Sequence, residues 1–301
     1  MKLAIDALIE GIEKMGNPTT VGLDTQLAHL PEGFAGKVES FDDAAKALVR
    51  YNKAIVDALC GIVPCAKVQI AYYEMYGVPG MQAFRETIDY AKEKGMVVIA
   101  DAKRNDIGAT ASAYANAYLG VTPLGDTADS AFPVDFVTVN AYLGLDGVEP
   151  FCKAASVRGG GIFALVKTSN PSGVQLQDLK IGDRTVYEVM GDLVSDWGKD
   201  SIGAYGYSSV GAVVGATYPE QGAALRKRLP HTFFLVPGYG AQGATGKDLR
   251  GCFDEKGRGA VVNASRSILT AWRKQPGVDF AQAAYNEAVR MREDIMEGIR
   301  A

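Results

Sequence analysis

Eight short apolar runs, separated by stretches with helical periodicity, constrain the fold of this chain more than any other feature. They occupy residues 20–23, 66–70, 97–100, 136–139, 162–166, 210–214, 233–236 and 260–262. Each is rich in small, β-branched or aromatic apolar residues and ends in polar or turn-forming ones, as buried parallel strands do. Between them apolar residues return every three or four positions. In 42–59, Leu48, Tyr51, Ile55 and Leu59 share one face and the charges lie opposite. Segments 80–94, 109–119, 186–197, 220–228 and 280–299 read the same way. Strand–helix alternation predicts parallel β/α units, and eight of them close a (β/α)8 TIM barrel. An open, doubly wound sheet is the alternative. No linker or low-complexity tract interrupts the 301 residues, so a single α/β domain over 1–301 is expected.

Polar residues gather where these runs end. Asp24 follows the first, Lys67 lies in the second, Asp101 and Lys103 follow the third, and Asn140 the fourth. Thr168, Ser169 and Asn170 follow the fifth. The glycine-rich stretch from Pro237 to Gly243 follows the seventh, and Asn263-Ala264-Ser265-Arg266 closes the eighth. Barrel active sites occupy that carboxyl-end face, often with phosphate held by the last two loops.

The densest cluster is Asp101-Ala102-Lys103-Arg104-Asn105-Asp106-Ile107-Gly108-Ala109-Thr110. Residues i and i+2 of a strand share a face, so Asp101 and Lys103 aim into one space. Asp106 has to act from the loop or helix start beyond. Desolvating such a cluster is expensive, which favours a working site over its alternative, a solvated group of ion pairs at a strand end.

Composition narrows the chemistry. A net charge of −4 gives no electrostatic case for nucleic acid or an anionic membrane. No stretch approaches the roughly 20 apolar residues that span a bilayer. The first 17 residues read as an amphipathic helix, not a signal peptide. Four scattered cysteines are expected to be reduced and structural in a cytoplasmic protein. With two histidines, His29 and His231, a His-rich metal site or a Ser-His-Asp triad lacks raw material. Chemistry then falls to Lys, Asp, hydroxyls and backbone. The basic run Arg226-Lys227-Arg228 is expected to cap the exposed end of a helix.

These residues resemble the orotidine 5′-monophosphate decarboxylase family, in its longer bacterial subgroup, over nearly the full length. The likeness rests on Gly22-Leu23-Asp24, Ala66-Lys67, the Asp101 to Thr110 block and Lys167-Thr168-Ser169-Asn170-Pro171, with the Pro237 to Gly243 loop and Ser265-Arg266-Ser267. Related barrels that use Mg²⁺ share the Asp-x-Lys-x-x-Asp element but carry an acidic residue where Lys67 stands. The resemblance implies conversion of orotidine 5′-phosphate to uridine 5′-phosphate and CO₂, the last step of UMP synthesis, with no metal or organic cofactor. Without an electron sink, charged side chains must stabilise the carbanion left at C6.

In that family Lys103 stabilises the developing charge and supplies the proton. Asp101 sits beside the substrate carboxylate or holds Lys103 in place, and Lys67 completes an alternating charge network. Asp24 is implied to bind ribose hydroxyls, its alternative being a helix N-cap with Thr25. Ser169 meets the pyrimidine edge, and Asn140 is a wall residue. Gly238, Gly240 and Gly243 bring backbone N–H groups to the phosphate, Arg266 grips it, and Gln242 clasps over it. Asp106 and Thr110 are implied to reach a second subunit's site, with Ile107 lining the pocket, which makes the active form a homodimer. Segment 171–184 is either a lid over the base or a surface insertion. Other functions for such a barrel are a phosphosugar lyase or aldolase working through a lysine imine, or a silent nucleotide-binding protein.

Overall fold

The computed structural model of the protein describes residues 2–240 and 243–300. Eight parallel strands form a closed barrel: β1 (Thr19–Leu23), β2 (Cys65–Gln69), β3 (Val97–Arg104), β4 (Phe136–Val139), β5 (Gly161–Lys167), β6 (Val210–Val214), β7 (Phe234–Val236) and β8 (Ala260–Ala264). Each strand pairs with the next, and β8 closes on β1 with Thr20 opposite Asn263 on one side and Cys65 on the other. Closure rules out the open sheet.

The strands read as continuous apolar runs because both faces are buried, each against a different partner. Cys65, Ile99, Phe136, Phe163, Val213, Leu235 and Val261 pack inside the barrel. Their neighbours Ala66, Val98, Ala100, Ala212, Phe234 and Val262 join the helices in the surrounding layer. The Phe136 and Phe163 rings meet at 5.0 Å between centroids and fill the interior. Glycine makes room for them, since a Cβ on Gly161 or Gly211 would stand 2.6 Å from the Phe136 or Phe163 ring. The helix Ala4–Met15 closes the amino end, adding Ile5, Leu8 and Ile9 to the interior cluster.

The outer helices include Phe41–Leu59, Gly77–Glu93, Gly108–Tyr118, Leu145–Arg158, Val186–Gly198, Pro219–Arg228 and Phe280–Arg300. The first is capped by Ser40, whose hydroxyl accepts the Asp43 N–H at 3.1 Å. Helix Leu145–Arg158 is the one the periodicity did not disclose. Gly147 and Pro150 obscure its start, although Val148, Phe151 and Ala155 form a buried stripe. Two short hairpins, Thr122–Leu124 with Thr127–Asp129 and Lys180–Ile181 with Arg184–Thr185, stand outside the barrel. Among the described residues no helix is long and apolar enough to cross a membrane.

The basic run at 226–228 divides. Lys227 and Arg228 are exposed, but Arg226 is buried and turns inward. It donates to the carbonyl oxygens of Gly259 (3.1 Å) and Thr232 (2.8 Å), tying its helix to the turn before β8.

Candidate active site

Two adjacent strands, β2 and β3, and the turn after β1 place four charges in a line at the carboxyl end of the barrel. Lys67 on β2 lies between two carboxylates, its Nζ 2.8 Å from Asp24 Oδ1 and 3.2 Å from Asp101 Oδ2. Asp101 on β3 in turn meets Lys103, with 2.5 Å between Oδ1 and Nζ. Sign alternates along the row, so each interior charge has an opposite neighbour on both sides. That is the condition under which burial of charge is tolerated.

Lys67 is 5% exposed at its side chain and Asp101 11%. Burial works against the charge on Lys67, but Asp24 and Asp101 outweigh it and raise its pKa. For Asp101 burial opposes ionisation, yet Lys67 and Lys103, with hydrogen bonds from Lys103 and Thr138, bring the carboxyl down to about 2. Gln69 Nε2 adds a further hydrogen bond to Asp101 Oδ2 at 2.9 Å. Both groups are charged at neutral pH.

The row lines a cavity of about 600 Å³ that also takes in Ser169, Gly238 and Arg266. Sequence reasoning assigned no role to several other residues that line it: Gln26, His29, Tyr72, Thr138, Tyr239, Asn263 and Ser265. The polar residues after β8 gave some signal for Asn263 and Ser265. Asn263 Oδ1 is buried with no hydrogen-bond partner among the described residues.

The loop after β7 turns on left-handed glycines, of which Gly238 lines the cavity while the Gly243 N–H donates within the loop to the Gly240 carbonyl at 3.0 Å. Gly238, Gly240 and Gly243 have φ of 107°, 67° and 93°, values L side chains rarely adopt. The loop is tied down at its base, where Gly240 N–H donates to the Ala244 carbonyl at 2.9 Å. Tyr239 Oη donates to Asp294 Oδ2 at 2.7 Å, fastening the loop to the last helix. Arg266 begins the short helix Arg266–Leu269 directly after β8 and lines the same end of the cavity. Gln242, expected as a clasp, lies outside the described residues.

The end of β5, just before Ser169, carries an unexpected anchor. Lys167 is fully buried, its Nζ 2.8 Å from Asp178 Oδ1 and 4.4 Å from the centre of the Tyr218 ring. Gln177 accepts the Thr168 N–H at 3.0 Å and donates to Thr168 Oγ1 at 2.7 Å. Segment 171–184 thus folds back on the strand end, and none of it lines the cavity. In this structure the segment packs as a surface insertion with buried fastenings.

Six expected residues do not line this cavity: Asn140, Asp106, Ile107, Thr110, Gly240 and Gly243. Asn140 is not in its wall. Its side chain turns to accept the Tyr142 N–H at 3.1 Å and caps the turn Ala141–Leu143. The wall position on β4 belongs to Thr138 instead. Asp106, Ile107 and Thr110 sit where β3 gives way to the helix Gly108–Tyr118, and Ile107 is 56% exposed. Ile107 borders a surface groove between that helix and Leu145–Arg158. Asp24 does not cap a helix with Thr25, whose hydroxyl donates to Asn52 Oδ1 at 2.6 Å. Among the described residues no three His, Cys, Asp or Glu side chains converge as a metal cage.

A (β/α)8 barrel that gathers a line of paired charges and a glycine loop at its carboxyl end defines a class of enzymes acting on small phosphorylated substrates. Within that class the chain belongs to the orotidine 5′-phosphate decarboxylase / HUMPS family, whose family model matches residues 21–276. It is 45% identical over 285 residues to the orotidine 5′-phosphate decarboxylase of Rhodopirellula baltica, covering 93% of this chain and 92% of that one. Its identity to the Clostridium acetobutylicum decarboxylase is 41% over 296 residues, covering 97% and 99% of the two chains. The solved OMP decarboxylase of Leishmania donovani superposes with a TM-score of 0.73 at 28% identity, covering 97% of this chain and 100% of that one.

Proposed function

We propose that this protein converts orotidine 5′-phosphate to uridine 5′-phosphate and CO₂, the closing step of UMP synthesis, as one catalytic barrel and without a metal or organic cofactor. The observation that carries the reading is the row Asp24, Lys67, Asp101 and Lys103, linked at 2.8, 3.2 and 2.5 Å along the cavity wall. The C6–carboxylate bond breaks with its electron pair left on C6, in the ring plane, where the π-system cannot take it up. A cation fixed beside C6 lowers the energy of that pair without further reorganisation. Lys103 is that cation. Its ammonium then gives the proton that closes the reaction and is reprotonated from water.

Asp101 keeps Lys103 aimed, and Asp24 with Lys67 takes the ribose hydroxyls. Ser169 meets the pyrimidine edge. The Gly238, Gly240 and Gly243 loop, with Arg266 and Gln242, takes the phosphate, remote from the reacting bond, so binding energy there can be used to assemble the charged end. The imine chemistry of an aldolase needs a neutral amine. The raised pKa of Lys67 between two carboxylates works against that role.

The active form is a homodimer in which Asp106, Ile107 and Thr110 complete the second subunit's site. The exposure of Ile107 and Thr110 on one edge, with Asp106 half-buried beside them, supports this, together with exposed Tyr142, Leu143 and Leu145 nearby, an apolar patch suited to a second copy. The direct test follows the absorbance of orotidine 5′-phosphate with purified protein in excess chelator. Stoichiometric conversion to uridine 5′-phosphate is expected, and no conversion would discard the reading.

A further inference from the structure

The ladder between β3 and β4 is interrupted at the site. Ala100 stands opposite Val137 and Arg104 opposite Val139, so Asp101, Ala102 and Lys103 have only Thr138 across from them. The bulged strand cannot satisfy its backbone in the ordinary way. Thr138 does it with a side chain, its Oγ1 accepting the N–H of Ala102 at 3.0 Å and that of Lys103 at 2.9 Å. The same oxygen lies 2.9 Å from Asp101 Oδ1, the carboxylate oxygen that Lys103 Nζ touches.

A hydroxyl has two lone pairs and one proton. Both lone pairs are committed to backbone donors, so the proton has one direction left, toward Asp101. Among the described residues Lys103 is also the one non-glycine with positive φ, at 47°, a conformation that costs energy unless the surroundings impose it. Thr138 is buried and supplies one of the bonds that impose it.

We infer that Thr138 is the positioning residue of the charge row: its hydroxyl holds the left-handed turn of Lys103 and fixes the Asp101 carboxylate against the Lys103 ammonium. This rests on Lys103 being the proton donor. Its prediction differs from that of a packing residue, because the hydroxyl should matter to the chemical step and hardly to substrate binding.

The test compares Thr138→Val, close in shape but without the hydroxyl, with the pair Thr138→Ser and Thr138→Ala, which both lose the methyl while only alanine loses the hydroxyl. In Thr138→Val, kcat is expected to fall about 100-fold, the scale of a reacting group misplaced by about an ångström, with KM changed less than about twofold. The acid limb of its kcat profile should move to higher pH, because Asp101 loses a donor to its charged form. Serine should stay within about fivefold of wild type while alanine falls with valine. The Ser–Ala ratio decides the matter if the valine variant fails to fold. Wild-type kcat in Thr138→Val, or serine as slow as alanine, would overturn the inference. Should the wild type itself leave orotidine 5′-phosphate intact, the functional reading fails separately. The crystal structure of Thr138→Val then judges the geometry: Lys103 is expected to leave the left-handed region, and an unmoved Lys103 overturns the inference.

Discussion

Lys67 Nζ stands 2.8 Å from Asp24 and 3.2 Å from Asp101, a single buried cation shared by two carboxylates from neighbouring elements. Removing it leaves Asp24 without its cation and facing Asp101, which keeps only Lys103 as an opposite charge, and that costs more than the ion pair itself contributes. Lys67→Ala is therefore expected to destabilise the fold by about 3 kcal/mol, in addition to abolishing most activity. Urea unfolding measures this directly. A stability loss under about 1 kcal/mol would mean that water reaches the pair and screens it.

The same row predicts how stability responds to acid. The folded carboxyl of Asp101, near 2, lies below its ordinary value of 3.8. A depressed folded pKa contributes stability above the unfolded value, and that contribution is lost as pH falls through the folded one. Unfolding free energy should lose about 2 kcal/mol from this group between roughly pH 4 and pH 2, and none from it between pH 8 and pH 5. In Asp101→Asn this acid-dependent part should be missing. An identical pH dependence in wild type and Asp101→Asn would contradict the assignment.

Arg266 and the glycine loop form the end of the cavity farthest in sequence from the charge row, yet β8 closing on β1 brings them beside Asp24. If the phosphate binds there, Arg266→Ala should lower kcat/KM for the nucleotide about 100-fold or more, the scale of losing a partner to a buried charge. Orotidine, which lacks the phosphate, should be turned over at the same slow rate by both proteins. A variant that lost both activities in proportion would have been damaged elsewhere.

Much of this was legible in the amino-acid sequence, for physical reasons. All eight strands showed as apolar runs because both of their faces are buried, and every second residue of β2 and β3 points inward, bringing Lys67, Asp101 and Lys103 to one end. What lay hidden depended on non-local geometry. Thr138 reads as an ordinary β-branched strand residue, and its role exists only because β3 bulges opposite it. Asn140 looked like a wall residue from its place after a strand, but the chain turns there and needs a cap. Lys167 seemed part of a polar loop motif, and only the return of Asp178 explains how its charge can be buried. The helix Leu145–Arg158 was hidden by its own Gly147 and Pro150.

The placement of Asp106 and Thr110 outside their own subunit's cavity leads to a test by subunit mixing. If Asp106 works in a partner's site, Lys103→Ala and Asp106→Ala each disable both sites of a homodimer, but in different subunits. A mixed dimer then has one site with both defects and one with neither. Random reassociation of equal amounts makes half the dimers mixed, so about one quarter of the wild-type sites should return. Activity of the two inactive variants should rise on unfolding and refolding them together, and stay flat when each is refolded alone. If each subunit used its own Asp106, every site in the mixture would carry one lesion and no activity would return. That flat result would assign the exposed edge at Ile107 to something other than catalysis.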